Sequence, residues 1–285
     1  MVRGRTDHIV DAIVYFILII VGLICLIPLM YVFAVSLTPF HEVLSRGGFI
    51  LIPRNITLRA YEELLSQRSV IQGLWVTVRV TVIGTSLSMV LTILLAYPLS
   101  RKNLPGRNFF LFFIVFTMLF SGGMIPTYLV VRSLGLLNTL GALIFPNVVW
   151  VFNTLVMKSY FESIPEEMFE SARMDGAGEW RTLIFILIPL SMPTIMTVML
   201  FYLVANWNLF FQAILYITRP ELQPLQVVVR QLLTIANFME SPDMTIPTVT
   251  LQNAIVIFAS APMIIVYPFI QRHFTKGMML GAIKG

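Results

Sequence analysis

The 285 residues are 58% hydrophobic and only 12% charged, about half the charge of an average soluble chain, so much of the exterior must meet lipid. A span of about 20 apolar residues crosses a bilayer core roughly 30 Å thick, which leaves room for several spans and excludes a large soluble domain. The net charge of +5 comes from cations scattered between apolar runs, not from the basic stripe that nucleic acid requires, and the single cysteine, Cys25, excludes an internal disulfide framework and a CxxC metal site.

The first apolar run covers residues 9–37 and follows Arg3 and Arg5. It is too long for a signal-peptide core and has no small-residue cleavage site after it, so it reads as a retained first span. The polar stretch 38–72 contains a tract, residues 55–66, whose apolar stripe suits a short interfacial helix. The second span covers 73–99 and stops at Ser100, Arg101 and Lys102. The third, 108–131, follows the turn Leu104-Pro105-Gly106, and the fourth covers 140–157. A polar-rich segment, 158–189, then precedes the fifth span, 190–217, which lies in a run too long for one crossing and interrupted by Pro189 and Pro193. An outer loop, 218–250, leads to the sixth span, 251–270, and a short basic tail. The expected fold class is all-α: a polytopic membrane protein with six transmembrane helices in one domain over 1–285.

Six spans place both termini on one side. Lys102, Lys158, Lys276 and Lys284 all fall on the side of the N-terminus. The short basic tracts beside the second and sixth spans (Arg101, Lys102, Arg107; Arg272, Lys276, Lys284) then favour cytoplasmic termini.

The segment after the fourth span carries the most local information. Ser163 and Glu166 have the spacing of a capping box, and Pro165 suits a first helical turn. Glu166, Glu167 and Glu170 crowd the N-terminal half, where the helix dipole favours anions. Gly176 falls where a left-handed residue would close the helix, and a second short helix is expected through Trp180 to Pro189. Met168, Phe169 and Ala172 form one apolar face, too small for a core of its own, and an isolated helix this short is marginal in water. Either a protein partner or a lipid surface would complete its packing.

Glu170-Ser171-Ala172, Gly176 four residues past the alanine, and Ile186-Leu187-Ile188-Pro189 together resemble the EAA loop of ABC-importer permease subunits. The family pattern is Glu-Ala-Ala, three residues, Gly, nine residues, then Ile-x-Leu-Pro. Ser171 and Ile188 depart from it by small changes in volume. The tail 271–285, the tract Ala96-Tyr97-Pro98-Leu99-Ser100-Arg101 and the turn Leu104-Pro105-Gly106-Arg107 resemble carbohydrate-importer permeases of the maltose-system type. Residues 120–128 and 134–139 are similar to a narrower branch serving complex oligosaccharides, uronate-containing ones included.

The resemblance implies a type I ABC importer permease in a bacterial cytoplasmic membrane. Its partners would be a second homologous permease subunit (a heterodimer), two ATP-binding cassette subunits, an extracytoplasmic solute-binding protein and a carbohydrate substrate. It also implies that the loop helix docks on the ATPase through Glu170, Ala172 and Gly176. Met168, Phe169 and Met174 would be apolar contacts, and Arg173 and Asp175 would flank the turn. Lys276, Gly277, Gly281 and Lys284 would reach the ATPases from the tail. Arg219, Glu221, Glu240 and Asp243 in the 218–250 loop would meet the binding protein. The chain has no GxxxxGK[ST] phosphate loop, so ATP and magnesium are expected in the partner ATPase and no cofactor in this chain.

A sugar path needs hydrogen-bonding groups and aromatic faces. Candidates are Asn206, Trp207, Asn208 and Gln212 in the fifth span, and Asn147, Trp150 and Asn153 in the fourth. The last three are spaced to share one helix face. The competing reading is that these polar groups glue helices together, at about 0.6 kcal/mol each. Arg79 is the charged residue inside the second span, where a cation is costly. It either faces the path or snorkels outward. His8, His41 and His273 are separated by spans or loops and suggest no metal site. Two other classes lack their parts: an ion-coupled secondary carrier would carry mid-span acidic residues, and an intramembrane enzyme would carry HExxH or GxSxG.

Overall fold

The computed structural model describes residues 5–238 and 249–282, which are almost entirely helical and contain no strand. Contacts gather the chain into two compact units. One comprises the residues up to Val70 with Val229–Ala261, the other Ile71–Val228 with the segment from Pro262.

In the first unit, α1 (Arg5–Ser36) exposes apolar side chains all around, Val10 to Met30 among them. A helix apolar all round is that of a membrane span or a buried element, and its length suits a span. The connector that follows folds on itself through α2 (Phe40–Ser45) and α3 (Arg59–Ser66). Ala34, Val35, Val43 and Ile50 form its small core. The buried Glu42 is the polar hub of this hairpin. Its carboxylate accepts from the Arg46 guanidinium, the Arg54 N–H, and both the backbone and side-chain N–H groups of Asn55. Burial alone would raise the Glu42 carboxyl, but these four donors hold it below the usual carboxylate range.

The second unit is organised on α4 (Arg68–Ser100), which belongs to it from Ile71 onward and runs through two clusters of buried side chains. Near its start, Val76 and Val80 pack with Leu143, Ala213 and Tyr216. Near its end, Met89, Ala96 and Tyr97 pack with Met157, Phe161, Leu187 and Tyr202. Gly73 permits close approach: a Cβ there would stand 3.1 Å from Val228 Cγ2 and 3.2 Å from the Leu225 backbone. Beside it, Leu225 N–H donates to Thr77 Oγ1 at 2.8 Å.

Three helical stretches are long and apolar enough to span a membrane: Val10–Ser36, Arg68–Ser100 and Val249–Phe269. The other three expected spans are not single helices. Helices α5 (Arg107–Leu119) and α6 (Met124–Ser133) meet at 111°. The break falls at Phe120-Ser121-Gly122-Gly123, where Gly123 is left-handed (φ 85°). Helix α7 (Leu140–Ile144), with the 3₁₀ turn Phe145–Asn147, meets α8 (Val151–Glu162) at 51°. The α10 (Glu179–Thr182) to α11 (Ile188–Leu190) segment meets α12 (Met192–Trp207) at 83°, at Ser191 between Pro189 and Pro193. Between α10 and α11, residues Leu183–Leu187 form a wide π-helical turn. Pro189 accounts for it, because the ring has no N–H and clashes with the carbonyl four residues back. Counted with each bent pair as one span, six spans result. The chain closes with α13 (Phe211–Tyr216), α14 (Leu225–Phe238) and α15 (Val249–Ala282).

Candidate coupling and transport sites

The loop helix α9 spans Glu166–Met174. Ser163 is not its cap. It is the last residue of the preceding turn, its hydroxyl donating to Tyr160 O at 2.7 Å, and Pro165 occupies the N-cap position without a side-chain cap. Proline's fixed φ already starts the helix, so no capping box forms. At the other end Gly176 has φ 73°. Its N–H donates to Arg173 O at 3.0 Å, and Ala177 N–H donates to Ala172 O at 2.9 Å. These two bonds make a Schellman closure.

The helix does not wait for a partner to cover its apolar face. Phe169 and Ala172 are buried, and Phe169 joins the cluster around Tyr97, Met157 and Leu187. Phe169 therefore packs inward, away from Met168 and Met174, with which it was expected to form the docking face. Met168 is 41% exposed and Met174 89% exposed, with Glu170, Asp175 and Gly176 also on the surface.

Arg101, at the exit of α4, lies over the inward ring. Its guanidinium carbon is 3.5 Å from the Phe169 centroid and 4.9 Å from that of Tyr97. Arg101 also donates to the Tyr97 hydroxyl at 3.2 Å and approaches Glu166 at 3.7 Å. The Tyr97 hydroxyl donates to Glu179, and Arg173 bridges Glu166 (3.9 Å) and Glu179 (3.6 Å). Arg107 pairs with Glu162 and donates to Leu99 O at 2.8 Å. Lys158 pairs with Glu162 at 2.8 Å. Partly exposed pairs are individually weak, but together they tie α8, α9 and α10 to the end of α4. These links were missed in the sequence, because α4 and α9 lie some 70 residues apart in chain order.

The fourth-span candidates do not share a helix face. The backbone is extended at Trp150 (φ −102°, ψ 123°), so Asn147 ends one helical segment while Asn153 sits in the next. Trp150 is 36% exposed, its ring centroid 5.5 Å from that of Tyr202, and its backbone N–H donates to the Tyr202 hydroxyl at 3.0 Å. That hydroxyl also pairs with Thr92 Oγ1 at 2.8 Å. Asn153 is fully buried, and neither its amide nitrogen nor its amide oxygen has a hydrogen-bond partner.

In the fifth span, Asn206 donates to Thr85 Oγ1 at 3.2 Å beside Gly84, a helix-to-helix bond. Trp207 is buried, Asn208 donates to Val204 O as the helix ends, and Gln212 is half-buried on α13. Arg79 is exposed on α4 and shares a cleft of about 310 Å³ with Gln72, Trp75, Val76 and Glu221. Two residues assigned to separate roles from sequence are thus brought together.

In the 218–250 loop, Arg219 donates its N–H to the Asn138 side-chain oxygen at 3.0 Å. Thr218 adds its N–H at 2.7 Å and its hydroxyl at 3.0 Å. Asn138 holds a left-handed backbone (φ 58°) to make this clasp. Its signal in the sequence was the turn tract Gly135 to Thr139, although no clasp was assigned to it. Lys276, Gly277 and Gly281 lie on the backbone of α15. Glu240, Asp243 and Lys284 lie outside the described residues. Among the described residues no group of His, Cys, Asp and Glu could hold a metal ion.

Apolar helices, three of the six spans broken, and a short helix fastened to the end of α4 fit a polytopic membrane protein. Residues 73–280 match the binding-protein-dependent transport system inner membrane component family, and the chain belongs to it. It is 43% identical over 286 residues to the polygalacturonan/rhamnogalacturonan transport system permease protein YtcP of Bacillus subtilis (strain 168), covering 98% of this chain and 99% of that one. Protein LplC of the same organism is 42% identical over 270 residues, covering 93% and 91%. A solved bacterial ABC transporter chain, from a system importing the acidic polysaccharide alginate, superposes with a TM-score of 0.87. It is 32% identical, with 96% of this chain and 99% of that chain covered. The protein is therefore a permease subunit of an ABC importer.

Proposed function

We propose that this chain forms half of the translocation path of an ATP-driven importer of acidic oligosaccharides, paired with a second, homologous permease. Two ATPase subunits would bind and hydrolyse ATP with magnesium, and an extracytoplasmic binding protein would deliver the sugar. The termini, α9 and the Arg101 end of α4 face the cytoplasm. The observation that carries this reading is the two-sided α9. One side is fixed to the chain's own span by Phe169 and Ala172. The other offers Met168, Glu170, Met174 and Asp175 to solvent, and an almost fully exposed methionine beside a left-handed turn suits insertion into a partner's groove.

A helix seated in a closing ATPase dimer and bonded to α4 moves that span with it. This is how a stroke outside the bilayer would switch the path between inward and outward access. The acidic class of substrate is supported by the polygalacturonan/rhamnogalacturonan and alginate systems to which the chain is similar. The test is reconstitution in proteoliposomes with and without the ATPases. ATP-dependent accumulation of labelled trigalacturonate, requiring the binding protein, is the expected result. Accumulation driven by an ion gradient without the ATPases overturns it.

A further inference from the structure

The cleft around Arg79 lies toward the end of α4 opposite Arg101. The two arginines are separated by about 33 Å at 1.5 Å per helical residue, so the cleft sits far from the coupling surface. Its lining is unusual for a membrane helix: Gln72, Trp75 and Arg79 at helical spacing on α4, with Glu221 from the turn after α13. Trp75 leaves 58% of its surface open. Arg79 makes no ion pair or hydrogen bond among the described residues, although Glu221 lines the same space. An unneutralised arginine in a membrane helix is costly; near a helix end it snorkels, and further in, as at Arg79 eleven residues into α4, it marks a substrate or ion path.

We propose that this cleft is an entry subsite for an anionic sugar, a uronate residue of an oligosaccharide. Arg79 receives the sugar carboxylate, for which its planar fork has the matching geometry. Trp75 presents an aromatic plate to the C–H face of the ring. Gln72 and Glu221 take hydroxyl hydrogen bonds. Glu221 also repels a carboxylate placed at the wrong end, so the two charges together set the direction in which the chain enters. A neutral sugar would leave the Arg79 charge unmatched. The volume, about 310 Å³, is at the lower end of small-molecule sites and suits one sugar residue of a chain, not a whole oligosaccharide.

The inference rests on the reading of the protein as a carbohydrate importer, and the experiment separates the two. The complete importer is reconstituted with its ATPases, second permease and binding protein. It is offered labelled trigalacturonate or the carboxyl-reduced neutral trisaccharide. Arg79→Gln is expected to lower the ratio of acidic to neutral uptake roughly tenfold, the loss of one charge-assisted contact, with Arg79→Lys in between. A wild-type importer that takes up neither probe overturns the carbohydrate reading and the cleft with it. One that takes up only the neutral probe overturns the anionic subsite while leaving carbohydrate import standing. An unchanged ratio in Arg79→Gln overturns the cleft alone. Should the Arg79 variants fail to assemble, Gln72→Cys supplies a second readout. Trigalacturonate is expected to slow its labelling by a charged thiol reagent several-fold, and labelling unaffected by the sugar overturns the subsite.

Discussion

The guanidinium of Arg101 stacks on the ring of Phe169 with 3.5 Å between its central carbon and the ring centroid. One residue directly follows the long helix α4 and the other is the inward anchor of α9, so this contact fastens α9 to a span. Cation–π contacts are worth about 0.5–1 kcal/mol when exposed and about 2 when desolvated; here the ring is 1% exposed. The contact also explains why a nine-residue helix holds its shape: its apolar face is completed within the chain.

Arg101→Ala should therefore loosen α9 without unfolding the membrane core. In the purified importer, hydrogen exchange at the amides of α9 is expected to accelerate about tenfold, the equivalent of about 1.4 kcal/mol. Stimulation of ATP hydrolysis by the loaded binding protein is expected to fall in parallel. Phe169→Ala is expected to be more severe, because it also leaves a cavity costing about 3–5 kcal/mol. Unchanged exchange in both variants would remove this contact from the coupling route.

Gly176 offers a cleaner backbone test. Apart from its chain neighbours, no atom lies within 4 Å of where its Cβ would be, so only the left-handed φ of 73° resists substitution. Gly176→Val is expected to cost about 1–2 kcal/mol and to open the Schellman closure, reducing co-purification of the ATPase. Gly176→Asn, which tolerates that conformation, is expected to retain most of it. Equal loss in the two variants would point to a steric clash at the partner and not to strain in this chain.

The Glu42 hub makes the hairpin of the first unit sensitive to acid. Its folded carboxyl titrates lower than an ordinary one, so its stabilisation is fully present above the unfolded value, about 4.3, and is lost as pH falls through the lower folded value. Limited proteolysis of the 38–58 segment is expected to be slow at pH 6 and to rise below about pH 4. Glu42→Gln keeps the shape but not the charge, and is expected to cleave faster at pH 6 and to lose most of the acid-dependent increase. A wild-type rate independent of pH would show that the carboxylate does not hold the hairpin.

What could be read in the sequence was local or compositional. The lipid-facing class, the all-α fold and the left-handed closure at Gly176 each depend on composition or on a few adjacent residues. The breaks within the third, fourth and fifth spans were hidden because hydropathy registers side chains and not backbone angles. Only Pro189 and Pro193 announced one of them. Asn147, Trp150 and Asn153 do not share a face for that reason: helical spacing has no meaning across an extended residue at Trp150. The inward turn of Phe169 and the cleft that Arg79 and Glu221 both line depend on contacts between segments distant in the chain. A linear pattern does not encode those.

Asn153 poses the sharpest test of whether a buried group serves stability or transport. Its side chain is fully enclosed with both amide atoms unpaired, a condition that costs about 1–3 kcal/mol. Packing alone would favour an apolar side chain of the same branching, such as leucine, in that position. Asn153→Leu is therefore expected to raise the thermal midpoint of the purified importer, since an apolar isostere removes the orphaned amide without leaving a cavity. If the amide is exposed to sugar when the path opens, the same variant lowers turnover at saturating substrate, a trade of activity for stability. That combination, a higher midpoint with slower transport, is the expected outcome. A lower midpoint would mean that the amide is satisfied inside the assembled importer. A higher midpoint with undiminished transport would assign Asn153 no part in moving the sugar.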